Sequence, residues 1–260
     1  MYLSVIVPCY NEHENVERGV LSQMTDYLAS QSYGSEIIVS DDGSSDDSLQ
    51  MVQEFARSHA NVQVLANEHR GKPFALHSAI AVAQGDIMLL TDMDQSTPLR
   101  EVSLLLPYFD QGFGVVIGSR GAERKNSTPM RKLASQLFRS FRKSLILDDI
   151  DDTQCGFKAA KSDALRTLFE RLQVFGEVQQ DVKGWRVTAY DVELLFVAKK
   201  MGYRVKEVPV FWQQEDIAQG KQKSFVRESR EMLSEVLRVK WNDMHGVYNV
   251  TTPDQASPRG

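Results

Sequence analysis

The sequence predicts an α/β protein with a mostly parallel central sheet and helices on both faces, and three observations point to it. Short apolar runs bounded by turn residues alternate with longer stretches of helical period. The short runs are continuous in Val, Ile and Leu, as strands buried on both faces of a parallel sheet are. The composition, 42% hydrophobic and 25% charged over 260 residues, supplies a sizeable core and excludes disordered and fibrous classes.

In chain order the pattern gives a strand at residues 3–8, a helix at 14–29, a strand at 36–40, a helix at 48–58 and a strand at 62–66. A helix at 72–83, a buried strand at 86–91, a helix at 99–109 and a strand at 113–118 continue it. After Arg120 the rhythm changes, and the second half reads as an attachment to the first. A polar loop at 121–128 precedes a basic helix from 130 to about 145, an acidic stretch at 148–152 and mixed elements as far as Trp212. A polar loop is expected at 213–222, a helix from about 225 to 240, and a disordered tail over 249–260, which is rich in Pro, Ser and Gly. The length allows one large α/β domain or two small ones, and the reading adopted is a single domain over 1–248.

The formal net charge of −5 and pI of about 5.6 argue against a general nucleic-acid binder. No run approaches the ~18 to 20 apolar residues of a spanning helix, and the first residues lack the pattern of a signal peptide. Cys9 and Cys155 are too few for a disulfide scaffold and lack metal-site spacing, so they read as reduced thiols in a cytoplasmic protein, a disulfide between them being the alternative.

Ligands of an open α/β sheet bind outside the carboxyl ends of the strands where the strand order reverses. Here four successive ends are loaded with polar residues: Pro8-Cys9-Tyr10-Asn11-Glu12, Asp41-Asp42-Gly43-Ser44-Ser45-Asp46, Asn67-Glu68-His69-Arg70-Gly71-Lys72 and Asp92-Met93-Asp94-Gln95. Each alone could be a helix cap or turn; together they suggest a site. Neither a GxxxxGK[ST] loop nor a GxGxxG follows any strand, which counts against a P-loop NTPase and a dinucleotide oxidoreductase. Asp92 and Asp94 offer hard oxygen ligands to Mg²⁺ or Mn²⁺, ions that often bridge to substrate phosphates, which suits a nucleotide diphosphate.

The runs VIVPCYNE (5–12), IIVSDDGSSD (37–46), Arg70-Gly71-Lys72, Asp92-Met93-Asp94 and VIGSR (116–120) resemble family 2 glycosyltransferases of the GT-A fold. Downstream, DTQCGFKAAKSDAL (152–165), AYDVELLFVAKKMGYRVKEVPVFW (189–212) and KSFVRESREMLSEVLRVK (223–240) resemble the dolichyl-phosphate β-glucosyltransferase branch and its polyprenyl-phosphate relatives. The resemblance implies a nucleotide-binding half at 1–120 and an acceptor half at 121–248. It implies that Pro8, Tyr10 and Glu12 form the first nucleotide-binding segment and that Asp42 reads the base. Lys72, Asp92 and Met93 would lie near the donor sugar, and Asp92 and Asp94 would hold the metal. Arg120 and Arg131 would hold the acceptor phosphate, with Lys223 in a loop that closes over phosphates or forms a solvated face. The segment 152–157 would line the acceptor side.

The expected activity is inverting, metal-dependent transfer of a hexose, glucose favoured, from a UDP-sugar to polyprenyl or dolichyl phosphate. A GDP-mannose donor, a soluble hydroxyl acceptor and a non-catalytic sugar-nucleotide binding module are the alternatives. A phosphate acceptor is already ionised at neutral pH, whereas a hydroxyl would need a base. Asp152 and Asp191 are the acids for that role, Asp191 having as its alternative an orienting hydrogen bond inside the fold. The segment 130–145 sets Arg131, Lys132, Arg139, Arg142 and Lys143 beside Leu133, Leu137, Phe138, Phe141 and Leu145. That pattern fits a helix lying on the cytoplasmic face of a membrane or an ordinary surface helix packed on the core. The expected partners are therefore a nucleotide sugar, a polyprenyl phosphate and a peripheral membrane surface, with no nucleic acid.

Overall fold

A computed structural model describes residues 1–120, 150–175, 190–213 and 225–249. The expected loop at 121–128, all but Gln213 of the loop expected at 213–222, the basic segment 130–145 with Arg131, the residue Lys223 and the tail from 250 lie outside the described residues. Strands β1 (Tyr2–Cys9), β2 (Gly34–Asp41), β3 (Val62–Ala66), β4 (Ile87–Leu90), β5 (Val115–Ser119), β6 (Lys158–Lys161) and β7 (Val205–Pro209) form one sheet in the order β3-β2-β1-β4-β6-β5-β7. All neighbours pair in parallel except β6, which runs antiparallel to both β4 and β5. The helices are α1 (His13–Glu17), α2 (Val20–Ala29), α3 (Ser48–Arg57), α4 (Lys72–Val82), α5 (Val102–Leu105), α6 (Pro107–Asp110), α7 (Ser162–Arg171), α8 (Tyr190–Lys200) and α9 (Phe225–Met244).

The strand period of two divides the core into two layers. Leu3, Val5 and Val7 of β1, Ile37 and Val39 of β2 and Leu89 of β4 pack on one face with Val20, Leu21 and Met24 of α2. Ile6, Ile38, Met88 and Leu90 turn to the other, against Leu76 and Ile80 of α4 and Leu168 and Phe169 of α7. Because both faces are covered, the strands read as uninterrupted apolar runs. The chain places β2 and β3 on one side of β1 and returns to β4 on the other, so the order reverses between β1 and β4 and the crevice lies at their carboxyl ends.

Three sequence expectations are corrected. The helix expected at 14–29 is two, because Gly19 adopts φ +81° and caps α2 in the left-handed region. The helix expected at 99–109 is a 3₁₀ turn (Leu99–Glu101) followed by α5 and α6, broken where Pro107 supplies no N–H for the helical ladder. The second half is no attachment beside the first, since β6 sits between β4 and β5. Its sequence, Lys-Ala-Ala-Lys, lacks β-branched and aromatic residues, so nothing local announces a strand; pairing with two neighbours imposes it.

A buried polar knot ties β1 to β2 and to the turn before β4. Ser4 Oγ donates to Glu36 Oε1 at 2.6 Å and accepts the Gly85 N–H at 2.7 Å, while the Gln84 N–H donates to the same Glu36 oxygen at 2.7 Å. A Cβ on Gly85 would lie 2.5 Å from Ser4 N and 2.7 Å from Ile87 O, backbone atoms that cannot turn aside. Gly85→Ala is therefore expected to destabilise the fold by about 1–3 kcal/mol, the range for overpacking, read as a lower urea midpoint at unchanged slope.

Candidate functional site

The first loaded end is held by its own polar groups. Asn11, at φ +52°, accepts the Ser45 N–H through Oδ1 at 2.8 Å, and its backbone N–H donates to Ser44 Oγ at 3.0 Å. Asp41 Oδ2 accepts the Ser44 N–H at 3.0 Å. The Glu12 N–H donates to Ser48 Oγ at 2.7 Å, and buried Glu12 accepts Asn15 Nδ2 at 2.6 Å. Pro8 lies opposite Ser40, one residue before the pairing of β1 with β2 ends at Cys9 and Asp41. The loops after β1 and β2 thus form one unit.

Asp42 lies enclosed beneath the loop after β3. Its carboxylate has no exposed surface and accepts the N–H groups of Arg70 and Gly71 at 2.9 to 3.0 Å and His69 Nδ1 at 2.9 Å. Burial raises its pKa, and these hydrogen bonds offset only part of that rise. A carboxylate so occupied anchors the loop after β3. The ring of His69 in turn stacks on Tyr10 with centroids 4.3 Å apart and planes 10° from parallel.

The loops after β3 and β4 meet in an ion pair. Lys72 Nζ lies 2.5 Å from Asp92 Oδ1. Burial disfavours the Lys72 ammonium, but Asp92, Asp191 and Asp94 outweigh it and hold its pKa above the ordinary value. Met93 is buried and pins the loop between its two acids. Asp94 Oδ1 accepts the Ser96 N–H at 2.8 Å, its carbonyl accepts Arg18 Nη2, and the Gln213 N–H donates to Ser96 O at 2.8 Å. Asp92 lies directly over Gly156, where a Cβ would come within 2.1 Å of Asp92 Oδ2. Among the described residues no three His, Cys, Asp or Glu side chains gather as a metal site made of protein alone. Two hard carboxylates on one short loop fit an ion that draws its other ligands from a diphosphate and water.

On the acceptor side Arg120 and Asp152 form a two-pronged pair, Nε to Oδ2 and Nη2 to Oδ1 each at 2.7 Å. Burial would raise the Asp152 pKa, yet Arg120 overrides it and holds the carboxyl far below the usual range. Glu207 of β7 fixes the approach by accepting the Asp151 and Asp152 N–H groups at 2.7 and 2.8 Å. Asp191, the first acid of α8's first turn, accepts Lys158 Nζ at 2.5 Å, and both side chains are nearly sealed. Lys158 also donates to Cys155 O. Both cysteines are buried and unbridged.

The geometry thus brings Lys72, Asp92, Asp94 and Asp191 to one crevice, sets Arg120 with Asp152 beside it, and encloses Asp42 beneath the loop after β3. Neither acid considered as a base is suited to it, because each is committed to an ion pair. Sequence reasoning missed Lys158, Arg18 and the pairing of His69 with Tyr10, and it named Gly156 only within the segment 152–157. A lysine inside a segment bounded by Phe157, Ala159 and Ala160 is the one local sign that a charge there has a buried partner.

The family model for Glycosyl transferase family 2 matches residues 4–169. A dolichyl-phosphate beta-glucosyltransferase of Trichomonas vaginalis is 28% identical over 247 residues, 90% of this chain and 72% of the relative. One of Drosophila melanogaster is 31% identical over 233 residues, 82% and 68% of the two chains. The solved structure of glucosyl-3-phosphoglycerate synthase from Mycobacterium tuberculosis in complex with Mn²⁺, UDP-glucose and glycerol 3-phosphate superposes with a TM-score of 0.60 at 19% identity, covering 92% of this chain and 80% of that one. The chain belongs to glycosyltransferase family 2, has the GT-A fold and is a glycosyltransferase.

Two stability measurements check the buried pairs. Lys158→Ala strands Asp191 and is expected to cost about 3–5 kcal/mol in chemical denaturation, whereas Lys158→Met with Asp191→Leu costs less because no charge is left unpaired. For Asp152 the folded pKa lies below the unfolded 3.8, so the stability it contributes is present above that value and is lost as pH falls through the folded one. The stability gap between wild type and Asp152→Asn is expected to stay constant above about pH 5 and to narrow only below about pH 4.

Proposed function

We propose that this glycosyltransferase moves a hexose, glucose favoured, from UDP to a polyprenyl or dolichyl phosphate with inversion, using Mg²⁺ or Mn²⁺. The observation that carries the acceptor class is the state of the two candidate bases. Asp152 is neutralised by Arg120 and Asp191 by Lys158, so an acceptor hydroxyl would find no suitable base in either. A phosphate monoester, with a second pKa near ~6, arrives as a nucleophile and asks only to be positioned. The names of the relatives support this acceptor, and the UDP-glucose and Mn²⁺ of the solved neighbour support the donor and the metal.

In this reading Asp92 and Asp94 hold the ion, which when bound supplies positive charge to the departing diphosphate. Lys72 adds a cation at the same place, kept protonated by the acids around it. Asp191 is a positioning residue that braces Lys72 through charge while Lys158 fixes its own orientation. The Arg120–Asp152 pair presents a rigid rim to the acceptor, with the Arg120 guanidinium 5.9 Å from the centre of the Trp212 ring. Arg131 and Lys223 would complete the phosphate's surroundings, a role that rests on the sequence resemblance. The same holds for a peripheral location on the cytoplasmic membrane face, which the basic and apolar residues of 130–145 favour; among the described residues no helix is long and apolar enough to cross a membrane.

The test is a transfer assay with UDP-glucose and GDP-mannose as donors and polyprenyl phosphate in anionic vesicles or glycerol 3-phosphate as acceptors. Wild type is expected to need Mn²⁺ or Mg²⁺ and to prefer UDP-glucose with the lipid, and Asp94→Asn to lose at least ~100-fold in turnover, the scale of losing one transition-state electrostatic contact, at an unchanged melting temperature. Full activity in excess chelator would overturn the metal role, and transfer to glycerol 3-phosphate alone would overturn the lipid.

A further inference from the structure

The loop that carries Asp92 and Asp94 turns on a residue in a constrained conformation. Gln95 follows Asp94 at φ +50°, in the left-handed region that a side chain such as glutamine rarely enters. A residue persists there only where its surroundings over-determine it, and Gln95 is tied at both ends. Its N–H donates to the Asp92 carbonyl at 3.3 Å, and its Nε2 donates to the same oxygen at 2.8 Å. Its Oε1 accepts the Leu99 N–H at 3.0 Å, so the partners fix which end of the amide is which. One residue on, the Ser96 N–H donates to Asp94 Oδ1 at 2.8 Å. The turn at Gln95 thus aims the second carboxylate while its side chain holds the backbone of the first. Beside the loop lies a cavity of about 540 Å³ lined by Val20 and Met24 of α2, by Asp94, Gln95 and Ser96, and by Phe211. Packing does not close the loop on that side. Its shape there rests on hydrogen bonds, among them the one that Arg18 Nη2 donates to the Asp94 carbonyl.

We propose that Gln95 is a positioning residue for the metal: by setting the directions of Asp92 and Asp94 relative to one another, it determines how tightly the loop takes a divalent ion and how well it accepts Mg²⁺ beside Mn²⁺. This rests on the reading of Asp92 and Asp94 as the ion's ligands. Groups that orient metal ligands change affinity by about 10- to 100-fold when they are removed. Mg²⁺ demands near-ideal octahedral geometry and gives up its water reluctantly, so a loop whose carboxylates wander loses Mg²⁺ before it loses Mn²⁺. Gln95 itself touches neither ion nor substrate and acts only through the two acids.

Binding of Mn²⁺ and Mg²⁺ to the full chain with UDP present, measured by calorimetry, separates this role from turnover, and melting temperatures separate it from stability. Gln95→Gly removes both side-chain hydrogen bonds but relaxes the left-handed backbone, so the variant is expected to keep its melting temperature. Its Mn²⁺ affinity is expected to fall about tenfold, the scale of a lost ligand-orienting contact, and its Mg²⁺ affinity further. Gln95→Ala loses the same bonds without relaxing the backbone and is expected to show the same affinities at a lower melting temperature. Wild-type affinity for both ions in Gln95→Gly overturns the inference alone. An equal loss for both ions does so too, since it marks a role in the fold and not in the site. A wild-type chain that takes up neither ion with UDP present overturns the metal reading and this inference with it.

Discussion

Negative charge is crowded at one edge of this sheet, and the rest of the site follows from how it is made tolerable. Asp41, Asp42, Asp92, Asp94 and Asp191 all converge on the carboxyl ends of β1, β2 and β4 or the helix facing them. Like charges at such spacing in a partly desolvated crevice repel strongly unless each is met by a donor. Each is: Asp41 by Ser44, Asp42 by the backbone of Arg70 and Gly71, Asp92 by Lys72, Asp94 by the Ser96 N–H and Asp191 by Lys158. The donors to Asp42, Asp92 and Asp191 come from other segments, so satisfying these acids also ties the loops to one another.

The antiparallel strand β6 makes this arrangement possible. Running against its neighbours, it begins where β4 and β5 end, with Lys158 paired to Leu90 and to Ile117. The segment leading into it therefore enters the crevice at the carboxyl edge, carrying Asp152, Gly156 and Lys158. Gly156 leaves room for the Asp92 carboxylate, and Lys158 brings a positive charge into a region closed to solvent. A parallel strand in that place would send its opening residues to the opposite edge.

This network separates acids that hold charge from acids that could exchange protons. Asp152 and Asp191 are bound to cations and serve as structure, while Lys72 is kept cationic where a diphosphate would depart. A site of this kind is preorganised for moving a group between two anions, one leaving and one arriving, rather than for removing a proton from a hydroxyl. The proposed phosphate acceptor and sugar-nucleotide donor are the pair that such an arrangement suits.

The α/β class and the first five strands were legible because they follow from local rules: apolar runs make strands buried on both faces, and polar residues after them mark the carboxyl edge. The acids of the 92–94 loop and Lys72 were found the same way, by position after a strand. Local pattern failed where a local helix breaker was passed over and where long-range contacts decided. Gly19 and Pro107 broke helices that hydrophobic periodicity had run together, and the short strand around Ala159 and Ala160 exists only because β4 and β5 offer it partners. The direction in which a side chain points lies beyond any motif. Asp42 sits in the run that resembles a base-reading segment, and the N–H groups of residues nearly thirty positions later enclose it and bring His69 onto Tyr10. The sequence by itself determined which chemistry the strand ends carry; the tertiary structure decided which of those charges are spent on one another, because pairing depends on distances between segments that no local spacing encodes.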